Sequence, residues 1–258
     1  MDRVSTNQYS VHVGRVAIGK GLIMDGRAHF ELGRIAGISL AVAGVLTELA
    51  GFLHPQGGDV EFHTAIASML TDSRWPVAHW FALVAALLLA CTVWVLTDAG
   101  WTGDSFVARA GSRLTIIATT FMAVQFAVEL AARSEASAVA ASQAEPLTEL
   151  TRSLQAVGWP AWSLGFILLM LGVPRAAPRI IAVLGIIGAL ATGAAGILTM
   201  GFEITAVGFL FPIGGLLYLW VIWAGVRLAR GRGVATVGWQ PVSDSSLAEP
   251  IIGGTANA

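Results

Sequence analysis

Three of the five histidines, His54, His63 and His79, fall in one stretch, Leu53–Trp80, which reads LHPQGGDVEFHTAIASMLTDSRWPVAHW. Imidazole changes charge near neutral pH and is the commonest side-chain metal ligand, so histidines gathered between two apolar runs suit proton transfer or metal binding. Three glutamates sit at matching places near the ends of apolar runs: Glu48 in LTELAGF, Glu129 in AVELAAR and Glu203 in MGFEITA. A carboxylate at the centre of a membrane helix costs about 2.5–3.5 kcal/mol, and less toward the helix end, so each should turn inward or find a partner. Gln125, Glu129 and Arg133 recur every four residues as one polar stripe, and a snorkelling Arg133 is one candidate partner for Glu129. Glu48, His54, His79, Gln125, Glu129 and Glu203 are therefore the candidate lining of a polar, outward-facing cavity. Within that set, His54, His79 and Glu129 have the donor chemistry for a metal ion, and the two histidines that for a haem iron. No HExxH motif and no His-x3-His pair accompanies them. Nothing in their spacing marks an enzyme.

The elements that must position these side chains are membrane spans. The chain has 258 residues, 55% hydrophobic and 12% charged, where a soluble domain carries about 25% charged residues. Six apolar runs lie near Ile35–Leu53, Val77–Thr97, Leu114–Ala132, Ala161–Val173, Ile180–Gly201 and Ala206–Val226. A span needs about 20 predominantly apolar residues; the fourth run is short and needs Trp159 and Pro160 to complete it. The expected fold is an all-α bundle of six transmembrane helices over residues 34–230. Residues 1–33 form a polar cytoplasmic segment, and residues 231–258, rich in Gly, Ser and Pro, a disordered tail. Residues 1–33 contain no apolar core of the kind a secretory signal needs. Met24 is an alternative start.

Cations set the orientation. With the N-terminus inside, Arg3, Arg15, Lys20, Arg27, Arg34, Arg109, Arg113, Arg175, Arg179, Arg227, Arg230 and Arg232 are cytoplasmic, and only Arg74, Arg133 and Arg152 are outside. Both termini are then cytoplasmic and the histidine stretch faces outward. Trp75, Trp80, Trp159 and Trp162 fall at the outer interface and Trp94, Trp220 and Trp223 near the inner one, as two aromatic belts. Asp59 is placed to cap a surface helix with Val60, Ile66, Met69 and Leu70 on its apolar side, and a second surface helix begins near Pro146. Each returning span opens on an aromatic–proline pair, Trp75-Pro76, Trp159-Pro160 and Phe211-Pro212, which suggests three related helical hairpins. Gly185, Ala189 and Gly193, and Gly188, Thr192 and Gly196, recur every four residues in the fifth span, a close-packing signal that places it centrally.

The net charge of −1 gives no basic face for nucleic acid. Cys91 is the single cysteine, so no intramolecular disulfide forms. Near-complete replacement of lysine by arginine is a habit of high-GC bacteria, which points to a bacterial cytoplasmic membrane. The run GVPRAAPRIIAVLGIIGAL followed by LFPIGGLLYLWVIWAGVRLAR, with Pro174-Arg175, Pro178-Arg179, Gly185 and Gly188, resembles a family of uncharacterised six-span bacterial membrane proteins. The resemblance covers roughly residues 160–230. It implies the six-span fold and no activity. The functional alternatives are a metal or haem protein, a small-solute transporter, and an accessory subunit or homo-oligomer within a membrane complex. Only Thr119, Thr120, Thr192 and glycines stand at mid-depth, which weighs against a transport path there.

Overall fold

A computed structural model describes residues 26–55 and 61–231 of the chain. The remaining expectations for residues 1–25 and 232–258, and those for Asp59 and Val60, lie outside the described residues. Nine α-helices are described: α1 (Gly26–Leu53), α2 (Phe62–Thr71), α3 (Arg74–Asp98), α4 (Phe106–Ala132), α5 (Ala136–Ala140), α6 (Pro146–Gly172), α7 (Arg179–Ala195), α8 (Leu210–Gly214) and α9 (Leu216–Ala229). Six segments are long and apolar enough to cross a membrane: Phe30–Leu53, Arg74–Asp98, Phe106–Ala140, Pro146–Gly172, Arg179–Gly201 and Leu210–Ala229. No strand occurs among the described residues. The chain is a multi-pass membrane protein.

The spans form a closed ring in chain order. α1 packs on α3, α3 on α4, α4 on α6, α6 on α7, α7 on α9, and α9 returns to α1. Short connections force antiparallel neighbours. The α3–α4 and α9–α1 packings are as extensive as the α1–α3 packing, so the hairpins join into one bundle. The expectation of a central fifth span is not met: α7 is one ring member among six, and α4–α6 is the most extensive pair. Small residues allow this, since a Cβ on Gly165 would lie 2.8 Å from the Thr115 backbone nitrogen, inside van der Waals distance. The glycine rows of α7 still serve packing. Gly185 lies against Trp220 and Met170, and Gly193 against Ser163.

The pattern of burial is that of a protein in lipid. Large apolar side chains such as Ile35, Val42, Val45, Leu49, Val84 and Leu87 face outward, while the interior holds alanine, Ser112, Thr115, Thr119 and a few large anchors led by Phe166. The helices therefore associate around a buried apolar core that includes Leu40, Leu89, Phe166, Leu217 and Trp220, with small residues and hydrogen bonds where they approach most closely.

Two expectations change. The short fourth run is the second half of one 27-residue helix, with Pro160 inside it. The surface helix expected near Pro146 is its first half. Pro160 removes the N–H that would bond the Ala156 carbonyl, and a helix tolerates that where neighbouring groups supply the loss. Trp75, Trp162 and Trp220 are buried against neighbouring helices, whereas Trp80, Trp94 and Trp223 are exposed. The first helix begins at Gly26, and its long apolar part at Phe30.

Candidate functional site

The site begins with where two helices end. α4 stops at Ala132, so its last carbonyls lack helical partners. The Arg133 N–H turns to Ala131, and the Glu129 carbonyl instead accepts a bond from the Trp75 indole N–H at 3.0 Å. That bond fixes the start of α3 against the end of α4, and places His79, one turn further along α3, beside the Glu129 side chain.

Glu129 is 1% exposed and His79 3% exposed, so every polar atom needs a partner. The order of donors can be read off. An indole N–H only donates, so Trp159 Nε1, 3.1 Å from Gln125, fixes the Gln125 carbonyl oxygen toward itself. The Gln125 amide NH₂ then donates to Glu129 Oε1 at 2.9 Å, and the Gln155 amide donates to the same oxygen. His79 Nδ1 faces the Trp75 carbonyl oxygen at 2.7 Å; a carbonyl only accepts, so Nδ1 carries a hydrogen. His79 Nε2 lies 3.1 Å from Glu129 Oε2, off the line of a well-aligned hydrogen bond, as a close polar contact whose proton is not dictated by a third group. The His79 ring packs on the Trp75 indole with centroids 3.8 Å apart, and the His54 ring stands 5.2 Å from His79 and 5.4 Å from Trp75. His54 Nδ1 donates to the Pro55 carbonyl at 2.8 Å. Burial, with His79 close by, pushes the His54 imidazole down to about 4, so the ring is neutral at neutral pH.

Of the six sequence candidates, the structure thus brings His54, His79, Gln125 and Glu129 together. Glu48 and Glu203 stand apart. Glu203 is exposed, holds a left-handed φ of 57°, and pairs with Arg152, which also bonds Glu149 and lies 4.9 Å over the Phe62 ring. Glu48 lies on α1 against Gly215. Arg133 forms no ion pair among the described residues, so the expected Glu129–Arg133 partnership gives way to histidine and two glutamines. Gln155, Trp75 and Trp159 join the site although sequence reasoning left them out. The available signal for Gln155 was its place three turns into a helix continuous from Pro146.

Above this network sits a small cap. α2 lays Phe62, Ile66 and Leu70 against Trp75, Ala132 and Val139. Its N-cap is Glu61, accepting from the backbone N–H groups of His63 and Thr64 at 3.0 Å each; those bonds hold its carboxyl down at about 2. His63 Nδ1 lies 3.0 Å from Glu61 and its Nε2 3.4 Å from Glu145, and these carboxylates raise its pKa, Glu61 most. Arg74 beside Asp72 likewise holds the Asp72 carboxyl down to about 2. Glu135 reaches along the chain to accept from the Leu147 and Thr148 N–H groups and so starts α6.

The nitrogens of the site face oxygen acceptors rather than one another: both His79 nitrogens and His54 Nδ1 are directed at oxygen atoms. Among the described residues no three His, Cys, Asp or Glu side chains are grouped to hold an ion. What the site can do is hold and exchange a proton. The chain matches no protein-family model, no curated protein and no solved structure.

Proposed function

We propose that the protein is a proton-responsive protein of a bacterial cytoplasmic membrane, with both termini cytoplasmic and the His79–Glu129 centre in its outer half. Sidedness rests on the cations: Arg34, Arg109, Arg113, Arg175, Arg179, Arg227 and Arg230 belong to the helix ends and connections opposite His79, and Arg74, Arg133 and Arg152 to those on its side. One observation carries the function. Every hydrogen bond of the buried network has its donor dictated by chemistry except the His79 Nε2–Glu129 Oε2 contact. One proton there leaves the pair net neutral, whether as imidazolium with carboxylate or as imidazole with carboxylic acid, and neutrality is what burial at this depth requires. A second proton leaves a buried positive charge and removes the attraction across the contact. Intramembrane His–Glu pairs of this kind are suited to coupling proton binding to helix packing.

Infrared difference spectroscopy on the full-length protein in lipid, between neutral and acidic buffer, tests this. A carboxyl C=O band should appear or shift on acidification, and that signal should be missing in Glu129→Gln. Superimposable wild-type and Glu129→Gln spectra would refute the proposal.

A further inference from the structure

We propose that Glu48 and the backbone around Gly215 form a second site, for a hard monovalent cation: a proton or an alkali ion. Glu48 stands five residues before the end of α1, about 7–8 Å inside the span at 1.5 Å per residue. Its side chain is half-buried, and Oε1 is fully buried with no hydrogen-bond partner. The carboxylate faces the point where α8 meets α9. A Cβ placed on Gly215 would sit 3.1 Å from Glu48 Oε1, 3.2 Å from Oε2 and 3.1 Å from the Pro212 carbonyl oxygen. Three oxygens thus converge on the open side of one glycine.

No donor meets Glu48 Oε1. α8 runs into α9 through Gly215 alone, and the Gly215 N–H goes to Pro212 at 3.1 Å and the Tyr218 N–H to Gly215 at 2.9 Å. This is a helix interruption rather than a helix start with free amides. Thr47, beside Glu48, turns its hydroxyl to Ala43. Of the helices packed on α1, α9 faces the carboxylate with Tyr218, and α3 sets no charged group against it. A carboxylate and a carbonyl oxygen set this close repel, and a buried carboxylate oxygen with no donor is costly at this depth. A bound cation removes both penalties. One carboxylate and one carbonyl are too few oxygens, and too little charge, for calcium, and no imidazole or thiolate is present for a transition metal. Carbonyls at interrupted membrane helices combine with side-chain oxygens to hold sodium ions or protons in this way.

The site shares no contact with His79 or Glu129, so its test can fail while the first proposal stands. The full-length protein is treated with dicyclohexylcarbodiimide, which adds to protonated carboxyl groups, and the Glu48 peptide is followed by mass spectrometry. Buffers contain choline, sodium or potassium chloride at equal ionic strength. For a proton, Glu48 is labelled at neutral pH irrespective of the salt, and labelling falls as pH rises. For an alkali ion, sodium or potassium suppresses labelling several-fold against choline and raises Tm. Labelling indifferent to both pH and cation overturns the proposal. Glu48→Gln supplies the second measurement: the neutral amide can donate to Pro212, so in choline the variant should melt no lower than wild type, and it should lose any cation response. Gly215→Ala, tolerated by a helical φ of −54°, should also lose that response. A Glu48→Gln protein that melts lower in every buffer overturns the site.

Discussion

Glu129 and Glu48 are the same residue, near the same end of the bundle, in similar local sequences, yet their surroundings are opposite. Glu129 faces α6 and α3, which bring Gln155 and His79 to it, while its own helix supplies Gln125. Glu48 faces a glycine and a carbonyl. The partner helix, not the residue's own helix, decides whether a membrane carboxylate is satisfied. Glu203, the third of the set, leaves the bundle and finds Arg152 at the surface. One sequence pattern therefore yields a saturated centre, an unsaturated one and a surface ion pair.

Substitutions should separate these cases in descending order. Glu129→Leu strands His79, Gln125 and Gln155 at once, and equilibrium unfolding in detergent should show a loss of about 3–5 kcal/mol, the range for breaking a buried charged network. A loss near that of an ordinary surface change would erase the contrast. Gln155→Leu leaves one Glu129 bond unmade and should cost about 1–3 kcal/mol. A double-mutant cycle with Gln125→Leu should give a coupling of about 0.5–3 kcal/mol, because both amides serve one oxygen. Glu48→Gln should lie within about 0.5 kcal/mol of wild type or above it, the reverse of the Glu129 result.

The smallest effect concerns the cap. The pKa of His63 is raised by Glu61 and Glu145, so its contribution is full below the ordinary histidine value and is lost as pH rises through the raised one. Glu61 is held at about 2, so its cap is full above the ordinary carboxylate range and fails only as pH falls toward 2. Protection of α2 amides from hydrogen exchange, corrected for intrinsic rate, should therefore peak in mildly acidic to neutral buffer. His63→Gln should flatten the alkaline side alone.

The spans were readable from the sequence because lipid demands long apolar runs, and that signal is local. Their interruptions were not. Polar residues between Pro146 and Trp159 look like a surface helix until Gln155 and Thr151 are seen to be buried against neighbouring spans, a fact that lives in tertiary packing. The acceptors of the buried tryptophans were hidden for a related reason. An indole at a span end suits the headgroup region, and only three-dimensional proximity shows that Trp75 and Trp162 donate to Glu129 and Thr119 inside the ring. His54 and His79 were recognisable as a pair only by residue type. Their juxtaposition depends on the α1–α3 packing that brings them onto one indole.

The closed ring has an implication for how the protein is made. Five of its six interfaces join spans that follow one another from the ribosome, but α1 meets α9 only when the last span has been inserted. Until then the face of α1 that carries Gly37 and Gly44, where α9 will lie within backbone contact, is presented to lipid or to whatever attends insertion. The Glu48–Gly215 contact sits on this last interface to close. Nascent chains arrested before Leu210 should hold α1 in a setting different from its final one, with the face that meets Gly215 not yet covered.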